Sequence, residues 1–141
     1  MANKTKTSTK QHSKYHSKKC EYDGHKFDSQ RERDRYIVLK EALDNGVITD
    51  LQIHPKYTLL PALYRDEIVH LKTKDKIVQR LDQRAIHYTG DFSYRKDGKF
   101  VLEDVKISKY MLPKEFILKE YMMYYFHKIR IRCVFKASEP V

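Results

Sequence analysis

No stretch of this chain approaches the ~20 apolar residues that a membrane span needs, and its mean hydropathy is −0.75. A membrane partner is therefore not expected. The N-terminus is basic but has no apolar core of the kind a secretory signal carries. Two cysteines, Cys20 and Cys133, do not make a disulfide framework, so reduced thiols in a cytoplasm are the expectation. Internal repeats are absent as well. Acid is missing from the first nineteen residues, which hold only Lys4, Lys6, Lys10, Lys14, Lys18 and Lys19 as charged groups.

What is present is charge and a core-sized chain. The 141 residues suit one domain with a real hydrophobic interior. Lysine and arginine number 29 against 19 acids, a net charge of +10. Of this the N-terminal lysines supply +6 and the remainder +4. A balance of this kind suits a polyanion, most simply nucleic acid. Residues 1–18 are too polar to bury surface and read as a flexible basic arm; residues 19–141 form the single domain. His12, His16 and Cys20 recur every four residues with His25 nearby, but that spacing fits none of the usual zinc fingers.

Along the domain, Cys20–Phe27 carries an Asp23-Gly24 turn and reads as a small hairpin. Ser29 and Glu32 form a capping box at the start of a helix. Tyr36, Leu39, Lys40 and Leu43 supply its period, widened by Ile37 and Val38, and Asn45-Gly46 ends it in a left-handed cap. Val47–Leu60 alternates as a strand, with Pro55 marking a bulge or an edge. The polar stretch Ala62–Gln83 admits a short helix, a strand extension or an ordered loop. Arg84–Tyr94 and Phe100–Ile107 read as a hairpin about Lys96-Asp97-Gly98-Lys99, since Asp-Gly between strand-forming runs is a strong turn signal. Pro113 suits the first turn of a second helix. Lys114–His127 is so apolar and aromatic that a mostly buried helix is expected. Ile129–Phe135 alternates as a final strand. The order helix, three strands, helix, strand predicts an α/β fold, a mixed central sheet flanked by helices.

The central hairpin carries charge that needs a reason. Residues two apart in a strand share a face, so Asp104 and Lys106 point together and Glu103 points away. A hairpin brings Asp91, thirteen positions before Asp104, next to that pair. A buried carboxylate is costly unless it is paired or binds a metal. An Asp–Lys ion pair, with Asp91 as a turn residue, is the plain structural explanation.

Order and motif together resemble the PD-(D/E)xK nuclease superfamily, in particular its small phage endonucleases related to Holliday-junction resolvases. The likeness rests on SKYHSKKCEYDGHKFDSQRE at 13–32, YTGDFSY at 88–94, VLEDVK at 101–106 and FILK at 116–119. It implies a restriction-endonuclease-like αβββαβ core. It places the aspartate of the "PD" position on Asp91, the (D/E)-x-K on Asp104, Val105 and Lys106, and the first-helix acid on Glu32. Two departures stand out: Gly90 occupies the usual proline position, and Asp104 is the less common acid. The resemblance implies a metal-dependent endodeoxyribonuclease. Asp91, Asp104 and the Val105 backbone carbonyl would hold Mg2+, with Mn2+ able to substitute, and Glu32 would reach it directly or through water. Lys106 would orient the attacking water and stabilise negative charge. No nucleotide cofactor is implied. A phage-encoded chain would act in the bacterial host cytoplasm.

With no room for a recognition domain, DNA shape and backbone would be read more than sequence, so branched or structured DNA is the expected partner. Cutting both strands of a junction favours a two-fold homodimer. Lys14, Lys18, Lys19 and Lys119 are the candidate DNA contacts, although Lys119 also suits a snorkelling role at a buried face. Gln52 reads as a solvated strand residue that could line the cleft. The tyrosines and methionines of Tyr121–Tyr125 read as core before a base-stacking platform, though one or two tyrosines could serve a dimer seam. The competing function is a non-catalytic DNA-binding accessory protein that keeps a nuclease-like fold.

Overall fold

The computed structural model describes residues 18–141. Lys14, His12, His16 and all but the last residue of the expected basic arm lie outside the described residues. The elements are β1 (Cys20–Tyr22), β2 (His25–Phe27), α1 (Gln30–Asp44), β3 (Thr49–Ile53), β4 (Lys56–Leu60), β5 (Leu63–His70), β6 (Asp75–Gln83), β7 (Ile86–Thr89), β8 (Phe92–Lys96), β9 (Lys99–Val105), α2 (Lys114–His127) and β10 (Ile131–Val134). The chain is a mixed α/β fold. Its largest sheet runs β10-β9-β8-β3, with β10 parallel to β9 and the other pairs antiparallel.

The local signals act as their chemistry dictates. Asp23 and Gly24 both take positive φ and close the β1–β2 hairpin; Asp97 and Gly98 do the same between β8 and β9. Such a pair of left-handed residues gives the primed turn that matches strand twist. Ser29 Oγ accepts from the Glu32 N–H at 3.2 Å, and Glu32 Oε2 accepts from the Asp28 N–H at 3.0 Å. Gly46, with φ +71°, takes the left-handed position just after α1.

Val47–Leu60 is not one strand but two, and Arg84–Tyr94 is likewise divided. The breaks fall at His54–Pro55 and Gly90–Asp91, which face each other. Proline has no N–H to continue the ladder, and His54 sits at φ +53°. The register nevertheless runs on: Ile53 pairs Phe92, Lys56 pairs Thr89, Arg65 pairs Arg80 and His70 pairs Asp75. Residues 49–70 and 75–96 are thus two arms of one long, bent hairpin. The Ala62–Gln83 stretch resolves into its distal half, β5 and β6, which is mostly exposed. Nearly all of its residues are exposed, so no buried face imposes hydrophobic alternation on it.

Two cores lie on opposite faces of the sheet. Phe27, Tyr36, Leu39, Ala42, Ile48, Phe92 and Tyr94 pack between α1 and one face. Leu59, Tyr88, Leu102, Phe116, Met123 and Ile131 pack between α2 and the other. Each large apolar side chain so buried contributes about 1.5–3 kcal/mol. The α1 face is shifted from the expected one: Arg35 and Ala42 are buried and Ile37 is outward. The expectation of a mostly buried second helix is corrected more strongly. Only Phe116 and Met123 of α2 are buried, while Ile117, Leu118, Tyr121, Tyr124, Tyr125 and Phe126 are exposed. The Tyr121–Tyr125 cluster is therefore core at Met123, with Met122 half-buried against it, and its tyrosines are exposed. One sheet face accepts one stripe of a helix, and apolar composition does not say which stripe.

Candidate metal and phosphodiester site

The site forms where the bent hairpin meets the end of β9. Asp91 precedes β8 on the face opposite Phe92, which belongs to the α1 core. Asp104 shares its face with Leu102, in the α2 core. Alternation thus sets Asp91 and Asp104 on the same side of the sheet. The Asp91 N–H donates to the Glu103 carbonyl at 3.0 Å, and the Asp91 carboxylate accepts from the Val105 N–H at 2.6 Å.

Asp104 is buried and fully engaged. Tyr88 donates its hydroxyl to Oδ2 at 2.7 Å, and Lys106 Nζ lies 2.6 Å from Oδ1. Lys106 also stands over the Phe116 ring, 4.1 Å from its centroid. Burial, and then the Asp104 charge, push the Tyr88 hydroxyl far above its ordinary pKa, so it stays a donor.

Asp91 is electrostatically strained. Desolvation first, then the charges of Asp104 and Glu32, hold its carboxyl well above the ordinary carboxylate range; the Val105 N–H and Lys106 pull the other way. Carboxylates crowded in this manner favour either a proton or a cation.

A third acid and a histidine complete the cluster. Glu32, His54 and Asp91 each offer a ligand atom, all within 4.8 Å of one another. His54 Nε2 is 4.0 Å from Glu32 Oε2, and its backbone N–H donates to the Asp91 carbonyl at 2.9 Å. Glu32 keeps its capping bonds while its carboxylate reaches the rim. This triad fits a divalent metal ion by donor type, with two carboxylates and an imidazole.

Of the residues expected from sequence, Glu32 and Asp91 enter the triad, while Asp104 and Lys106 stand beside it as an ion pair. Val105 supplies its N–H to Asp91. Lys119 pairs with Glu115 at 2.7 Å, one turn away. Lys18 is exposed, and Lys19 pairs with Asp28 at 3.3 Å. Gln52 is exposed and lines an open groove of about 500 Å3 with His25, Tyr36 and Lys40; none of Glu32, Asp91 and Asp104 borders it.

His54 and Tyr88 were missed by sequence reasoning. The available signal for His54 was its place before Pro55, where the strand had to break. Glu103 points to the opposite face, as alternation requires, and is wholly buried in a separate network. It accepts from Nε and Nη2 of Arg35 at 2.9 and 2.7 Å, from Arg132 at 3.0 Å and from the Tyr94 hydroxyl at 2.6 Å. Arg35 and Arg132 also bind carbonyls of Ala137, Glu139 and Pro140, so this network pins the C-terminal tail.

A family model described as a protein of unknown function (DUF1064) matches residues 12–139, and the chain belongs to that family. No curated protein and no solved structure matches it.

Proposed function

We propose that this member of the DUF1064 family is a divalent-metal-dependent DNA endonuclease with a restriction-endonuclease-like core, acting as a homodimer on branched or structured DNA. The observation that carries the reading is the meeting of Glu32, Asp91, Asp104 and Lys106 at one rim, from a helix start and two strand ends. The order α1, three antiparallel strands β3, β8 and β9, α2, and β10 parallel to β9 supports it.

The residues fit a cation: Glu32, His54 and Asp91 would hold it, and its charge would relieve the crowding at Asp91. A divalent ion supplies polarisation of a phosphoryl oxygen and activation of water for attack at phosphorus. Oxygen donors suit Mg2+, while the His54 nitrogen suits Mn2+ at least as well. The chain's own contribution is placement. Lys106, held by Asp104 and backed by Phe116, presents a fixed positive charge to a phosphate. Tyr88 fixes Asp104 from the other side. A preorganised charge of this kind acts without reorganising at the moment of reaction. Net positive charge draws the polyanion in.

Cleavage of junction, flap and linear DNA with Mg2+ or Mn2+ tests this. Product is expected from the wild type, falling by about 10²-fold or more in Asp104→Asn and Lys106→Met while DNA binding persists. No product from the wild type, or equal product from Asp104→Asn, overturns it. One observation favours a second reading, a non-catalytic DNA-binding protein: both Asp104 oxygens are already satisfied within the chain. Tight metal-independent binding with no product would select that reading.

A further inference from the structure

The outer face of α2 carries aromatic rings that its packing does not use. Tyr121 is 70% exposed and Tyr125 is 61% exposed. Four residues apart, they lie one above the other on the helix surface. Two cations close that end of the helix. Lys128, in a left-handed C-cap, has Nζ 5.5 Å from the Tyr125 ring centroid and 5.9 Å from that of Tyr124. Arg130 lies over Tyr124 at 3.8 Å. No acid occurs between Glu120 and Glu139 in the sequence. Among the described residues neither Lys128 nor Arg130 pairs with a carboxylate.

Lys128 Nζ donates to the Tyr125 carbonyl at 2.9 Å and keeps its charge. Exposed rings interleaved with cations that no carboxylate neutralises fit a strand of unpaired nucleotides, whose bases stack on aromatic faces and whose phosphates take the charge. A duplex hides its base faces. A protein partner would have to bury Lys128 and Arg130, at a desolvation cost that only its own acids could offset. Phe116, under Lys106, is nine residues before Tyr125 on the same helix, about 14 Å along its axis at 1.5 Å per residue, and the tyrosines look out from the opposite face of α2.

We infer that Tyr121, Tyr124, Tyr125, Lys128 and Arg130 form a stacking platform for single-stranded nucleic acid. The DNA that this protein cuts therefore carries a single-stranded segment. The second statement rests on the nuclease reading; the binding surface does not.

The test uses the full chain in a metal chelator, with labelled oligothymidine, oligouridine and a blunt DNA duplex of matched length. Because the chain has no tryptophan and 11 tyrosines, its intrinsic emission is tyrosine emission, and base stacking quenches it. The single strand is expected to bind more tightly than the duplex, with quenching; the two oligonucleotides distinguish DNA from RNA. Tyr121→Ala with Tyr125→Ala should weaken single-strand binding on the order of tenfold to a hundredfold per stacked base. Tyr125→Phe should bind like wild type, and Tyr121→Leu with Tyr125→Leu should bind like the alanine pair, because stacking needs a ring. Leucine variants that bind like wild type, or equal affinity for strand and duplex, overturn the platform. A change from dimer to monomer in the alanine pair, with strand affinity unaltered, also overturns it and makes the surface a seam between copies. Cleavage is followed separately: strand binding through these rings without any cleavage by the wild type removes the nuclease reading and leaves the platform standing.

Discussion

Asp91 caps β9: its carboxylate accepts the Val105 N–H at 2.6 Å, just where the ladder with β8 has ended. A side chain thus takes over from a backbone carbonyl at the sheet rim. The cost is a carboxylate held close to Asp104 and Glu32.

That crowding sets a pH dependence. The Asp91 carboxyl is held well above the ordinary range in the folded chain by burial and by its acid neighbours. The folded state keeps a proton that the unfolded state has lost. Stability from this group is present below the ordinary carboxylate range and is lost as pH rises through the raised value. Asp91→Asn keeps an oxygen for the Val105 N–H and removes the charge. In chelator, the wild-type Tm should fall with rising pH across this window, and the variant should lack that fall. Parallel Tm curves for the two proteins would contradict the assignment. At 100 times the Kd, Mn2+ should stabilise wild type by about 2.7 kcal/mol and leave Asp91→Asn unmoved.

His54 gives the triad its one nitrogen donor and is 37% exposed at its side chain. His54→Ala should weaken Mn2+ binding by at least about tenfold, the scale on which metal-site partners act, and should reduce any preference for Mn2+ over Mg2+. Calorimetric titration of each metal checks this. Unchanged Mn2+ affinity would remove His54 from the site.

Glu103 should matter to stability and not to metal binding. Both it and Arg35 are wholly buried. Removing one partner of a buried pair leaves an uncompensated charge, at about 3–5 kcal/mol. Glu103→Ala should therefore lower the urea midpoint severely. Arg35→Met with Glu103→Leu should recover much of the loss. A mild effect of Glu103→Ala would mean that the network is not holding the tail.

Gly90 has a steric reason to lack a side chain. A Cβ there would meet Leu102 Cδ1 at 2.8 Å and Tyr88 Cε1 at 3.4 Å. Leu102 is fully buried and cannot swing clear. Gly90→Ala should cost about 1–3 kcal/mol, the usual range for overpacking, and should lower metal affinity by displacing Asp91. Unchanged stability and metal binding in this variant would show that the site tolerates a side chain.

Much of this site was legible because its determinants are local. Ser29 and Glu32 lie three residues apart and could only cap α1 in one manner. Asp97-Gly98 fixed the turn between β8 and β9, and with it the proximity of Asp91 to Asp104 and Lys106. Glu103 was correctly set on the other face by alternation alone. Pro55 marked an irregularity beside His54, but the place of His54 in the triad was not legible, because Glu32 and Asp91 are far away in the chain and meet it only after the hairpin bends. Gln52 stayed open for the same reason, since its exposure depends on what packs nearby, whereas the Lys119 pair with Glu115 lies one turn away on the same helix.

The sequence by itself determined the turns, the caps, the element order about the central strands and the face of each acid on β9. These follow from φ preferences and side-chain period, which act over a few residues. Only the tertiary structure decided that the two arms run on past the break at His54–Pro55 as one bent hairpin, that Ala62–Gln83 extends outward as its distal half, and that the tyrosines of α2 face solvent. Those outcomes depend on how much apolar surface two sheet faces can cover, and that limit is set by the packed whole, not by any one segment.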